Sequence, residues 1–329
     1  MPISQGARTA QPTRLELVVT LGPASWDLVP ELGEAGATAF RLNTAHLATS
    51  QLRDTVQDVR RVDPERPIVI DLGGAKMRLG EFEARMLSEG DRVTFARDPA
   101  VRGSVPVPHP ELFHQLQVGE TLSVDDGRAR FVVESVGGDR MVARSLSTAV
   151  LPPRKGINVE EHPVVLSDLG AADAQAMEVL ADQTGLSWAL SFVADGSETA
   201  WLRRRAPGAP VIAKVERARA LDHIVRIESQ SDSLWICRGD LGAQIGPARL
   251  ARWVATLRPA DRRCPVLMAG QVFEHLTAHL DPTRSEVCHL YDLLHRGYAG
   301  IVLSEETAVG AHPVHAVRTV ASLMRDLSG

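Results

Sequence analysis

Basic residues are in deficit in this chain: 36 lysines and arginines face 41 aspartates and glutamates, for a formal charge of −5. No surplus exists to neutralise phosphates over a long footprint, which excludes a nucleic-acid partner. Long hydrophobic runs are missing too. No stretch is apolar enough to cross a bilayer, and Met1 to Arg14 has no signal-peptide core, so no membrane association is expected. Cysteine is scarce, and Cys237, Cys264 and Cys288 lack metal-ligand spacing. They read as small core residues of a protein in a reducing, cytoplasmic compartment. Also absent is the glycine-rich phosphate loop that follows the first strand of many open α/β sheets, because Gly22-Pro-Ala-Ser does not fit its spacing.

The rest is ordinary globular sequence. Of 329 residues 44% are hydrophobic and 23% charged, enough for one large domain or one with an insertion. Short β-rich runs alternate with amphipathic helical stretches. Strands are expected at Leu15–Leu21, Thr38–Leu42 and Pro67–Leu72, with helices over about Ser25–Gly36 and Ser50–Val62. From 77 to 153 short alternating runs, closed by turns at Asp125-Asp126-Gly127 and Gly137-Gly138-Asp139, indicate an inserted antiparallel β domain with no helix of useful length. Alternation resumes at Ser167-Asp168, with strands at Trp188–Val193, Pro210–Ala213, Ser233–Cys237, Pro265–Ala269 and Gly300–Leu303. Eight strand–helix units, over 1–76 and 154–329, most economically close as a (β/α)8 TIM barrel.

In such a barrel the active site gathers at the C-terminal ends of the strands. Here the strands end in Arg41-Leu-Asn43, Asp71, Ser191, Lys214 with Glu216, Arg238-Gly239-Asp240, Gly270-Gln271 and Ser304-Glu-Glu306-Thr307. Charged groups rarely stand where a buried strand ends unless they pair, bind metal or react. Each also has a plain reading. Glu216 can open a helix, Asp240 can be an N-cap, and His46 and His275 are single histidines of the kind usually found on surfaces. Lys214 is harder to dismiss, since a lysine on a buried strand needs a partner or a function. Together with Glu216 and Asp240 it forms a divalent-cation site with a cation beside it, a combination suited to phosphate or enolate chemistry.

These residues, in this order, resemble the pyruvate kinase family. The likeness runs from Val18-Val-Thr-Leu-Gly-Pro-Ala-Ser through Arg41-Leu-Asn43, Asp71-Leu-Gly-Gly-Ala-Lys-Met-Arg78, Val124-Asp-Asp-Gly and Lys155-Gly-Ile-Asn. It continues with Lys214-Val-Glu216, Arg238-Gly-Asp-Leu-Gly242, Pro282-Thr-Arg-Ser-Glu286 and Leu303-Ser-Glu-Glu-Thr-Ala308. The resemblance implies phosphoryl transfer from phosphoenolpyruvate to ADP, giving pyruvate and ATP. It implies that Glu216 and Asp240 hold Mg2+ or Mn2+ and that Lys214 neutralises the transferring phosphoryl group and the enolate. Amides of Arg238, Gly239 and Asp240, with Ser191 and Gly270, would receive the substrate. Arg41 and Arg78 would clamp phosphate, and Asn43, His46 and Lys155 would approach the nucleotide. The β insertion corresponds to the family's small β-barrel lid, expected to close and exclude water.

Four departures from the family pattern refine this expectation. The chain ends just after the eighth helix, so the family's C-terminal regulatory domain and sugar-phosphate effector site are not expected, and a homodimer or monomer is expected rather than a tetramer. Ala45 and Lys76 replace a serine and a glutamate of the family's K+ site, so Lys76 is expected to act as an internal cation and K+ not to be required. Gly270 replaces a threonine near the face where the enolate is protonated, which leaves Ser304 to relay the proton through water. Ala194 replaces a basic residue, and Glu305 a glycine. Two other readings follow from these changes. In one, the site acts on another enolpyruvate or 2-oxoacid, as an analogue kinase, a decarboxylase or a lyase. In the other, the fold is a non-catalytic binding homologue.

Overall fold

A computed structural model describes residues 15–125, 127–162 and 164–328. The Met1 to Arg14 segment, expected to be polar and loose, and Asp126 of the hairpin turn lie outside the described residues. The chain divides into two compact units, one of residues 1–74 and 171–329 and one of residues 75–170.

The first unit is a closed parallel barrel. Its strands are β1 (Glu16–Thr20), β2 (Ala39–Asn43), β3 (Ile68–Leu72), β4 (Leu186–Leu190), β5 (Val211–Val215), β6 (Ser233–Cys237), β7 (Val266–Ala269) and β8 (Gly300–Leu303). Each pairs with its neighbours in sequence, and β8 closes on β1 through registers such as Val18 with Val302. The runs Ile-Val-Ile-Asp-Leu of β3 and Val-Ile-Ala-Lys-Val of β5 are buried throughout, as expected of parallel strands covered on both faces. Trp235 sits 1% exposed inside the barrel, and the small Ala39, Ala189 and Ala269 of the same cluster make room for it. The helix Thr49–Val62 buries Leu52, Val56 and Val59, one stripe of a 3.6-residue period.

Strand positions follow the sequence expectation closely, with two informative shifts. β4 ends at Leu190, not Val193, because Phe192 adopts a left-handed φ of 59° that breaks the extended run. β5 runs on to Val215, which places Lys214 on the strand itself. The cysteines are not all core residues: Cys237 is buried, Cys264 is half-buried and Cys288 is exposed.

The second unit contains a six-stranded sheet in the order Ile157–Val159, Thr121–Val124, Ala129–Gly137, Arg140–Ser145, Arg92–Ala96, Val105–Pro106, with a separate pair Arg85–Leu87 and Ala149–Leu151. The inserted β domain expected from the sequence is present as these two sheets. Residues 154–170 fold with this unit and not with the barrel, because Ile157–Val159 pairs antiparallel with Thr121–Val124. A short helix, Pro110–Gln115, is an addition that the alternating pattern conceals. The turn at Gly138-Asp139 has positive φ only at Gly138, which matches a type II′ hairpin. Phe95 and Phe131 meet edge-to-face at 5.4 Å in the core of this unit.

Among the described residues no helix is long and apolar enough to cross a membrane.

Candidate active site

The strand ends of the barrel deliver a buried ionic cluster. Asp71, from β3 and 1% exposed, accepts from Arg41 Nε at 2.7 Å and from Lys214 Nζ at 3.0 Å on one oxygen, and from Ser191 Oγ at 3.2 Å on the other. Lys214 Nζ also reaches Ser191 Oγ at 2.8 Å and Glu216 Oε1 at 3.0 Å. Its three donors therefore have three partners. Arg41 adds a bond from Nη1 to Thr20 Oγ1 at 2.9 Å. The second oxygen of Glu216 accepts from the Phe192 amide at 2.9 Å, an amide aimed inward by the left-handed turn after β4.

Burial opposes charge on both Asp71 and Lys214, and the partners decide the outcome. Asp71 is penalised by desolvation, yet Lys214 and Arg41 hold its carboxyl below the ordinary 3.8. Lys214 is likewise desolvated, but Asp71 and Glu216 keep it above the usual lysine range, so it is an ammonium at any neutral pH. Cys237 stands beside the same groups, and burial with the Glu216 charge pushes its thiol up, so it stays neutral. The cluster is a fixed cation between two carboxylates, built for electrostatic work and not for proton abstraction by lysine.

Ser191 is located by close backbone packing. Gly74 has a φ of 65°, and a Cβ there would lie 2.0 Å from the Ser191 carbonyl oxygen. The Gly73 and Gly74 amides donate to the Asp173 carboxylate at 2.9 and 2.7 Å, which pins that loop. Across the barrel, β6 leads into an eight-residue helix, Arg238–Ile245, with Asp240 exposed in its first turn. Beyond β7, Gly270 and Gln271 both have positive φ, 81° and 54°. A Cβ on Gly270 would sit 3.4 Å from the Gly239 amide nitrogen and 3.5 Å from that of Arg238, so a side chain at this position would start against these two amides.

Arg41, Asn43, His46 and Ser304 line one cleft of about 1300 Å3, together with Gly22, Pro23 and Trp26. Trp26 is half-buried there. Ser304 donates its amide to the buried Glu306 at 2.7 Å, and desolvation raises the Glu306 carboxyl above its usual range. Lys76, Arg78 and Lys155 belong to the second unit. There a Cβ on Gly156 would meet the Lys76 stem at 2.8 Å, and Lys155 pairs with Asp125 at 3.1 Å.

Among the described residues no group of three His, Cys, Asp or Glu side chains is placed to hold a metal ion. Glu216 and Asp240 are oxygen donors only. A set of two carboxylates fits a hard, largely hydrated cation such as Mg2+, which takes its remaining ligands from water and substrate. Sequence reasoning missed three residues: Asp173, Trp26 and His289, the last of which meets Arg238 at 2.9 Å. No motif surrounds Asp173 or His289. Trp26 directly follows Gly22-Pro-Ala-Ser, and that position was the available signal. The motif Pro282-Thr-Arg-Ser-Glu286 proves to be a capping box, with Thr283 and Glu286 closing the start of the helix Arg284–His295.

The chain matches the family model described as the barrel domain of pyruvate kinase over residues 12–317. It is 33% identical over 322 residues to the pyruvate kinase of Methylorubrum extorquens, covering 93% of this chain and 67% of that one. Against a pyruvate kinase of Agrobacterium vitis the identity is 34% over 319 residues, covering 92% and 66%. The chain thus spans about two thirds of the length of these relatives. Among solved structures, a pyruvate kinase from Cryptosporidium parvum superposes with a TM-score of 0.75 at 24% identity, over 95% of this chain and 69% of that one, a likeness of fold.

Proposed function

The chain belongs to the pyruvate kinase family, and from that premise we propose that it transfers the phosphoryl group of phosphoenolpyruvate to ADP at the Lys214 cluster, using Mg2+ or Mn2+ and no K+. The observation that carries this reading is the ammonium of Lys214, 8% exposed and held by Asp71, Ser191 and Glu216. A terminal phosphate oxygen of ADP bonds to phosphorus as the bond to the enol oxygen breaks. The electron pair stays on that oxygen, and the enolate then takes a proton at C3. Lys214 neutralises the charge that grows on the transferring group and the enolate. Glu216 and Asp240 would hold a divalent cation, which would supply Lewis-acid stabilisation of the negative charge on the substrate. The Arg238 and Gly239 amides receive the carboxylate, Arg41 orients phosphate, and Ser304 carries the proton through water. The same reading assigns Arg78 and Lys155 to the nucleotide phosphates.

Independence from K+ rests on the sequence, which has Ala45 and Lys76 where the resemblance would otherwise place oxygen ligands. Pyruvate formation from phosphoenolpyruvate, ADP and Mg2+ in K+-free buffer is the test. Full turnover there, and a requirement for K+ in Lys76→Glu, are the expected results. A strong K+ requirement in the wild type removes the role of Lys76.

The cleft beside Arg41 is assigned to the nucleotide, with Trp26 as the face on which the base stacks. Trp26→Ala should raise KM for ADP roughly 5- to 100-fold and leave KM for phosphoenolpyruvate unchanged. Equal changes in both constants would remove Trp26 from the nucleotide subsite.

One observation favours a second reading. Gly270 places no side chain against the Arg238 and Gly239 amides, which favours a substrate one carbon longer than phosphoenolpyruvate. Turnover of the homologous enol phosphate of 2-oxobutyrate faster than that of phosphoenolpyruvate would transfer the assignment to it, and turnover without ADP would replace kinase by lyase or decarboxylase chemistry.

A further inference from the structure

The guanidinium of Arg238 uses four of its five N–H groups away from its own helix. Nε and Nη2 donate to the Gly270 carbonyl at 3.0 and 2.8 Å, Nη2 donates to the Gln271 carbonyl at 2.6 Å, and Nη1 meets His289 Nε2 at 2.9 Å. Guanidinium has donors only. Nε2 of His289 is therefore the acceptor, and the ring is neutral with its proton on Nδ1.

Arg238 thereby ties together two parts of the site. It is the first residue of the helix that carries Gly239 and Asp240, and it clamps a turn in which Gln271 holds a left-handed φ of 54°. A non-glycine residue persists in that region only where its surroundings over-determine it. His289 lies on the helix Arg284–His295, which opens with the Thr283–Glu286 capping box. We propose that His289 is a positioning residue: its neutral imidazole holds Arg238 across the Gly270–Gln271 turn, and its protonation releases that clamp. The role in turnover rests on the phosphotransfer reading above.

The surrounding charges favour the neutral ring. Burial and then the Arg238 charge lower the pKa of His289 from its ordinary 6.5, with Arg296 acting in the same direction and Asp292 of its own helix opposing them. The groups that face Arg238 from other elements are Tyr298, Glu306 and Glu274. A protonated His289 has two donors and no acceptor, and it faces a fixed cation. The clamp must then open, and the Gly270–Gln271 turn loses what holds it over the Arg238 and Gly239 amides. The sign follows: the clamp is complete at neutral pH and is lost on the acid side, below 6.5.

Two measurements test this. The first is kcat/KM for phosphoenolpyruvate as a function of pH in the wild type, His289→Gln and His289→Ala. The alanine variant should fall about 10- to 100-fold at every pH, the loss expected of misplaced binding groups. The glutamine variant keeps an acceptor for Arg238 at every pH. It should rescue most of the neutral-pH rate, and the acid limb seen in the wild type should disappear. Superimposable pH profiles for wild type and His289→Gln would overturn the proposal, because a merely structural side chain behaves that way. The second is imidazole NMR of the substrate-free protein. His289 should show the Nδ1–H tautomer, titrate below 6.5 and move upward in Arg238→Gln. An Nε2–H tautomer, or a titration unaffected by Arg238→Gln, also overturns it. Absence of turnover in the wild type, with the NMR as expected, would remove the kinase assignment and leave the clamp standing.

Discussion

Lys214→Met should lower kcat by about a thousandfold or more while the protein still binds Mn2+. The magnitude follows from the place of the ammonium. Removing a single preorganised charge that meets the transferring phosphoryl group or the oxyanion costs on the order of 10^2 to 10^5 in rate. Lys214 is also raised above the usual lysine range by Asp71 and Glu216, so its charge is present at every working pH. If the interaction is made mainly in the transition state, kcat and kcat/KM fall together and KM moves little. Metal binding separates this loss from unfolding. Lys214 Nζ lies 3.0 Å from Glu216 Oε1. Deleting the amine removes a competitor for that oxygen, and Mn2+ followed by electron paramagnetic resonance should bind at least as tightly as in the wild type. Wild-type kcat in Lys214→Met would end the phosphotransfer reading. Loss of Mn2+ binding would instead mean that the lysine holds Glu216 in position. Lys214→Arg is not expected to rescue, because the planar fork cannot meet Asp71, Ser191 and Glu216 as a compact ammonium does.

Much of this cluster was legible in sequence because two signals coincide in it. Apolar β-branched runs of four or five residues mark the buried parallel strands, and a charged residue inside or just after such a run needs a partner. Lys214 in Val-Ile-Ala-Lys-Val and Asp71 in Ile-Val-Ile-Asp-Leu carry both signals. What stayed hidden depends on approach between distant segments. Asp173 caps two amides 99 and 100 residues away, and His289 meets Arg238 across 51 residues. Neither contact leaves a local pattern, since a helix surface position reads the same whether it faces water or a guanidinium. The end of β4 is hidden for a related reason. Ser191-Phe192-Val193 has the composition of a strand, but Phe192 takes a left-handed φ and gives its amide to Glu216. The membership of 154–170 is hidden because Ile157–Val159 pairs with Thr121–Val124, some thirty residues earlier, and antiparallel pairing at that range has no periodic signature.

Asp71→Asn should be the most destabilising polar substitution in the barrel. Asp71 is the shared counterion of Arg41 and Lys214, at 1% exposure. An asparagine keeps the shape but not the charge. Arg41 is then left with Thr20, and Lys214 with Ser191 and Glu216, so that a buried cation loses its compensation. Breaking a buried pair in this way costs about 3–5 kcal/mol, which for a chain of this size is a fall in Tm of roughly 10 °C. The pH dependence has a definite sign. Burial works against the charged Asp71, but Lys214 and Arg41 outweigh it and hold its folded pKa below the ordinary value. Its contribution is therefore complete above the unfolded pKa of about 3.9 and is lost as pH falls through the lower folded value. Asp71→Asn should melt early at neutral pH and lose less further stability than the wild type on acidification. Activity should fall with it, because Lys214 can swing toward Glu216 once Asp71 no longer draws it back. A variant that melts within about 2 °C of the wild type and keeps its kcat would show that the two cations find their compensation elsewhere, and the account of the cluster as a shared-counterion device would have to be abandoned.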